Sequence, residues 1–295
     1  MKKIDKSANV LGQTFFSKSK DQLLNDIEIA LKEGSRPYVI FTPNPEHLMI
    51  TKEKPGFGQV LARADVRIPD GVSIVMASRL LHLVGKSQPI AERIPGVELA
   101  VDVLQMAAEK NWTVLIVGGR GYHHHAVTSE DQSPHDARAK SRRRVPTEST
   151  SSWTIERYPS ATETHTPTRT HSPTRLWWVE AYKDAANPTV KEEMELKKNL
   201  ETLQPEVVMV ALGAPLQEEW IVMHYELLRD NKVKIAMVVG GAFDMLTGKT
   251  QRAPLLYRKI GFEWLYRLWQ EPWRWRRQLR LVRFVGELLK EVIIP

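Results

Sequence analysis

A few short loops hold most of the residues in this chain that could do chemistry, and most of them follow an apolar run. Thr42-Pro-Asn44-Pro-Glu46-His47 places a hydroxyl, an amide, a carboxylate and an imidazole directly after Tyr38-Val-Ile-Phe41. Its two prolines stiffen the backbone that carries them. Asn44 there suits either a ligand contact or a helix cap. Ile68-Pro-Asp70-Gly71 offers one carboxylate; Asp70 could act as a general base, close a turn or cap the helix that begins near Ser73. Gly213-Ala-Pro-Leu-Gln217-Glu-Glu-Trp220 and Gly240-Gly-Ala-Phe-Asp244 have the same design. Backbone N–H groups at a helix start attract phosphate, glycines allow close approach, and Gln217 and Asp244 add hydrogen-bonding groups. Arg93, in Glu92-Arg93-Ile-Pro-Gly96, suits a phosphate, a sugar or a surface ion pair.

The elements that must position these loops alternate along the chain. Strand-like apolar runs occur at 38–42, 66–68, 112–117, 207–212 and 235–239, and helix-period segments at 20–32, 48–63, 73–83, 97–110, 189–203 and 218–230. Alternation of this kind predicts an α/β fold, a Rossmann-like parallel sheet covered by helices. Ligands of such sheets bind beyond the carboxyl ends of the strands, where the loops above would lie. Gly118-Gly-Arg-Gly121 is not the G-x-G-x-x-G fingerprint, which argues against a nicotinamide-dependent dehydrogenase.

The chain has no cysteine, so disulfides and thiolate metal sites are excluded. No Asp-x-Asp pair offers a site for a sugar-nucleotide-bound cation, and His123-His-His125 reads as composition bias. No metal or cofactor is expected. The basic N-terminus is not followed by an apolar signal region, and no run of about 18 apolar residues is present to span a bilayer.

Charge concentrates at the C-terminus. Residues 252–295 hold ten Lys/Arg against four Asp/Glu, +6 of the net +7, and four of the nine tryptophans. Pro272 separates two helical stretches. In the second, Trp275, Leu279, Val282 and Leu289 share a stripe beside Arg276, Arg280, Arg283 and Lys290. Such a helix packs on the domain or lies on an anionic lipid surface, and Arg267, Arg274 and Arg277 could turn inward onto a diphosphate. A basic nucleic-acid-binding protein, with Arg142-Arg-Arg144 and the tail on phosphate, is the competing class; no RNA- or DNA-binding motif supports it.

Residues 121–178 break the pattern. From Gly121 to Arg175 there is no Leu, Met or Phe, 18 of the 55 residues are Ser or Thr, and six of the nine histidines occur there. This composition predicts an irregular, disordered insertion. A local reading-frame shift between two intact halves would look the same and would leave an impaired protein. The expected division is an α/β domain over 1–250 and an appendage over 251–295.

In order, Thr42-Pro-Asn44-Pro-Glu46, Ile68-Pro-Asp70-Gly71, Glu92-Arg93, Gly213-Ala-Pro-Leu-Gln217-Glu-Glu-Trp220, Gly240-Gly-Ala-Phe-Asp244 and Gly248-Lys-Thr-Gln-Arg-Ala-Pro254, followed by the Trp/Arg tail, resemble the WecG/TagA/CpsF glycosyltransferase family across roughly 10–120 and 179–285. The resemblance implies an inverting, metal-independent transferase that works as a peripheral protein at the cytoplasmic face of the membrane. It implies transfer of N-acetylmannosamine or a related sugar from a UDP donor to polyprenyl-diphosphate-linked N-acetylglucosamine, in teichoic acid or other cell-surface polysaccharide synthesis. A homo-oligomer is compatible with it, and nucleic acid is not an expected partner. It also implies that Asp70 is the base, that Thr42, Asn44, Arg93 and Gln217 line the sugar pocket, and that Arg267, Arg274 and Arg277 hold the diphosphate.

Overall fold

The computed structural model describes residues 7–119, 126–128, 152–157, 175–251, 253–254, 257, 263–270, 272 and 275–293. A hairpin of β1 (Ser7–Val10) and β2 (Gln13–Phe16) opens the chain, turning at Leu11-Gly12, both in the left-handed region. Then follow α1 (Lys20–Glu33), β3 (Tyr38–Phe41), α2 (Pro45–Glu53), α3 (Pro55–Ala62), β4 (Val66–Arg67), α4 (Val72–Leu83), α5 (Gly96–Glu109) and β5 (Thr113–Gly118). After β6 (Ala126–Thr128), β7 (Ser152–Arg157) and β8 (Arg175–Val179) come α6 (Val190–Leu203), β9 (Val207–Ala211), α7 (Leu216–Met223), α8 (Tyr225–Asp230), β10 (Ile235–Val238) and α9 (Ala242–Leu246). The tail supplies α10 (Glu263–Gln270) and α11 (Trp275–Ile293).

The main sheet runs in the order β4-β3-β10-β9-β5-β8-β7-β6. Neighbours from β4 to β7 pair in parallel, and β6 closes the edge antiparallel. Strand β9, Val-Val-Met-Val-Ala, is buried at every position, as a central parallel strand covered on both faces must be. One face packs on Leu23 and Ile27 of α1, Leu99 and Val103 of α5 and Phe243 of α9. The other packs on Phe57 and Leu61 of α3, Leu196 and Leu200 of α6, and Trp220 and Ile221 of α7. The expected helix-covered parallel sheet is therefore present.

Three details differ from the sequence reading. The hairpin was not expected, because four-residue strands carry too little alternation to register. The helix expected over 218–230 is two helices, broken at His224. The ring of His224 stacks on Trp220 at 4.4 Å and its Nε2 lies 2.9 Å from Glu193 Oε2 on α6. Within 121–178, which composition assigned to disorder, β6, β7 and the first four residues of β8 are strands. Ile155 and Leu176-Trp-Trp178 are buried apolar residues, enough to join the sheet locally; the rest of that interval lies outside the described residues.

A third core cluster joins the hairpin, α2, α4 and the tail. Phe284 and Leu288 of α11 are buried against Leu48 and Met49 of α2, Ile74 and Leu81 of α4, and Phe15. Phe284→Ala should therefore cost about 3–5 kcal/mol in denaturant unfolding, despite its position on an appendage; a loss under ~1 kcal/mol would mean that α11 is not docked. Ion pairs flank this contact. Arg280 bonds Glu46 at 3.1 Å and Glu53 at 2.9 Å, and Arg283 bonds Glu53 at 2.6 Å. The Arg280 hydrogen bond is the main cause that holds the Glu53 carboxyl below the ordinary range. A depressed carboxylate stabilises the folded state above its ordinary pKa and loses that contribution as pH falls through its lowered value. Amide exchange of α11, measured relative to α5, should thus accelerate as pH drops from about 7 to about 3; a constant ratio would remove the clamp from the tail's anchoring.

Candidate active site

The carboxyl ends of β3, β4, β5, β9 and β10 open into one cavity of about 720 Å3. Thr42, Asn44, Asp70, Arg93 and Gln217 all line it, as do Glu46, His47, Asp244 and Lys249. Parallel strands send every following loop to the same edge, so residues far apart in sequence arrive together. The tail contributes Trp264 of α10 and Leu281 of α11 to the same wall. Arg274 and the side chains of Arg267 and Arg277 lie outside the described residues.

Helices α2, α4, α5 and α7 all begin at this cavity, since Pro45, Val72, Gly96 and Gly213-Ala214 line it. Helix starts present N–H groups and the positive ends of their dipoles. Asn44 caps α2, its Oδ1 accepting from the N–H of Glu46 at 2.9 Å and of His47 at 3.4 Å. The cap reading of Asn44 thus holds together with its place in the cavity; with Oδ1 engaged, its Nδ2 is the group suited to a ligand.

Asp70 does not cap the helix that follows it. Gly71 is the N-cap of α4 and makes no side-chain bond. Instead Asp70 Oδ1 accepts from Gly96 N–H, the first residue of α5, at 2.8 Å. Arg93 Nε donates to the Asp70 carbonyl at 2.6 Å. The carboxylate is thereby held against a helix start, while Arg93 fixes the backbone that carries it. Gly96 permits this closeness, because a Cβ there would come 3.2 Å from Thr42 Cγ2. Gly118 is required more strictly at the end of β5. It has φ of +87°, and a Cβ would fall 2.5 Å from Leu212 Cδ2 and 3.1 Å from the Ala211 carbonyl.

Sequence reasoning missed Glu218. It looks like a first-turn surface glutamate, yet it is fully buried, with Oε1 3.2 Å from His47 Nε2 and 2.9 Å from Gln217 Nε2. No local signal marks it, because its partner lies 171 residues away. Lys249 and Trp264 were also not singled out as lining residues, although both sit in motifs read from the sequence. Among the described residues, no three His, Cys, Asp or Glu side chains cluster as metal ligands, and no helix is long and apolar enough to cross a membrane.

Chemically, the cavity combines one oriented carboxylate, a cluster of helix N-termini and cationic side chains from Arg93 and Lys249. That is a setting for a ligand that carries hydroxyls and phosphate. The chain is 27% identical over 280 residues to an N-acetylglucosaminyldiphosphoundecaprenol N-acetyl-beta-D-mannosaminyltransferase of Bacillus spizizenii, covering 94% of this chain and 88% of that protein. Proteins of the same name from Staphylococcus aureus and Bacillus subtilis are 26% and 27% identical over 260 and 253 residues, covering 88% and 86% of this chain and 83% and 79% of theirs. The sequence matches the description of the glycosyl transferase WecG/TagA/CpsF family over residues 8–138 and 171–295, passing over only an interval within the Ser/Thr-rich stretch. With its motifs gathered on one cavity and that match spanning most of its length, this chain belongs to the WecG/TagA/CpsF family of glycosyl transferases.

Proposed function

We propose that this glycosyltransferase moves N-acetylmannosamine from a UDP donor to polyprenyl-diphosphate-linked N-acetylglucosamine, with inversion and without a metal ion. The observation that carries the reading is the Asp70 carboxylate, held by Gly96 N–H in a cavity where helix N-termini converge. The sugar and the acceptor follow the names of the relatives, which align along most of the chain.

In this reading an acceptor hydroxyl gives its proton to Asp70 as its oxygen attacks the anomeric carbon. The bond from that carbon to the UDP oxygen breaks, and the electron pair leaves with UDP. Negative charge grows on the departing diphosphate, where helix N-termini and arginines stabilise it. Arg267, Arg274 and Arg277 are proposed to supply part of that charge, and Thr42, Asn44, Arg93 and Gln217 to hold the sugar. Asp70 then returns its proton to solvent.

The acceptor's polyprenyl chain stays in the bilayer, so the enzyme must reach it from the surface. The outer face of α11, with Trp275, Leu279 and Val282 exposed beside its cations, is suited to the cytoplasmic leaflet. The test is a panel of UDP-sugars with a short-chain lipid-diphosphate-N-acetylglucosamine acceptor, with and without EDTA. UDP-N-acetylmannosamine should be the best donor, and chelation should leave the rate within about twofold, since no charge-stabilising step is assigned to a cation. No transfer from any UDP-sugar would overturn the reading, and loss of activity to EDTA would overturn its metal independence.

A further inference from the structure

Beside the cavity lies a buried pair, Glu218 and His47, to which the transfer steps assign no role. Glu218 has no exposed surface, and His47 is 5% exposed. Their contact at 3.2 Å joins the first turn of α7 to the first turn of α2, and the other ring nitrogen of His47 lies 2.9 Å from Asn44 Oδ1. The Gln217 amide donates its Nε2–H to the same Glu218 oxygen at 2.9 Å. Gln217 is 3% exposed, lines the cavity, and its Oε1 has no hydrogen-bond partner.

These contacts orient the amide. A carboxylate only accepts hydrogen bonds, so Glu218 selects the NH2 end of Gln217. The carbonyl end is left without a donor beside Gly240 of the cavity lining, where a Cβ would stand 3.6 Å from that oxygen and 3.8 Å from Nε2. A buried carbonyl without a donor is unfavourable until a ligand supplies one.

We propose that Glu218, steadied by His47, is a positioning residue that fixes the Gln217 carbonyl toward the cavity, so that the site accepts an O–H or N–H of the bound sugar nucleotide there. The inference rests on the sugar-nucleotide reading above. It makes this point of the pocket selective: a ligand group that only accepts hydrogen bonds is rejected, because two acceptors would face each other without water.

The full chain tests it in two ways. Without any ligand, the Gln217 side-chain amide in 1H–15N spectra should show one downfield, slowly exchanging proton. That signature should persist in Glu218→Gln, which retains an acceptor, and vanish in Glu218→Met. In turnover with UDP-N-acetylmannosamine, Glu218→Met should raise the donor KM about tenfold, the scale of one oriented hydrogen bond, with kcat within about twofold. Glu218→Gln should keep KM near wild type, and adding Gln217→Ala to Glu218→Met should cost nothing further. Should Glu218→Met not fold, His47→Leu with Glu218→Met removes the pair at similar volume and carries the same expectation. A fast-exchanging Gln217 amide in the wild type, an unchanged KM, or penalties that multiply with Gln217→Ala would overturn the assignment. If no UDP-sugar is turned over, the functional reading falls, and the amide spectra still decide the orientation.

Discussion

Asp70→Asn is expected to lower kcat by about 10²–10⁴-fold, the usual contribution of a positioned general base, with little change in stability. Asparagine keeps an oxygen at the position that accepts Gly96 N–H at 2.8 Å, so the start of α5 stays satisfied. It cannot take a proton from the acceptor hydroxyl. The Arg93 contact is to the backbone carbonyl of residue 70 and does not depend on the side chain. Donor binding should therefore remain within a few-fold while turnover collapses, the pattern of an interaction made in the transition state. Near-wild-type turnover in the variant would show that Asp70 is not the base.

The second large effect concerns the outer face of α11. Leu279 and Val282 are 53% and 70% exposed. Replacing both with Asp should weaken binding to vesicles containing anionic lipid by about 10²-fold or more, because each buries about 1.5–3 kcal/mol of apolar surface on insertion. Stability should change little, in contrast to Phe284→Ala on the inward face. Unchanged vesicle binding would show that this face does not meet lipid.

The contrast between those two faces shows how far the sequence reached. Helical spacing identified the stripe of Trp275, Leu279, Val282 and Leu289, which is the exposed one. The stripe that packs on the domain includes Phe284 and Leu288. Both are apolar, and residues one position apart differ by about 100° around a helix, so periodicity cannot say which stripe meets the core. Only α2, α4 and the hairpin decide that. Glu218 is a similar case: whether a glutamate beside a helix start is solvated or buried depends on a histidine from another helix.

Other parts were legible for a physical reason. Continuous apolar runs such as Val207–Ala211 must be covered on both faces, which calls for a parallel sheet with helices on either side. A parallel sheet delivers its strand-to-helix loops to one edge. Polar loops after apolar runs therefore had to converge, and Thr42, Asn44, Asp70, Arg93 and Gln217 line one cavity. What the sequence by itself determined was thus the parallel core of the sheet and many of the groups at its carboxyl edge, because burial and connectivity are encoded locally. The tertiary structure alone decided that Asp70 caps α5 rather than α4, that Glu218 turns the Gln217 amide, and which face of α11 looks outward. Each of those depends on a partner brought from a distant part of the chain, and packing, not local pattern, chooses it.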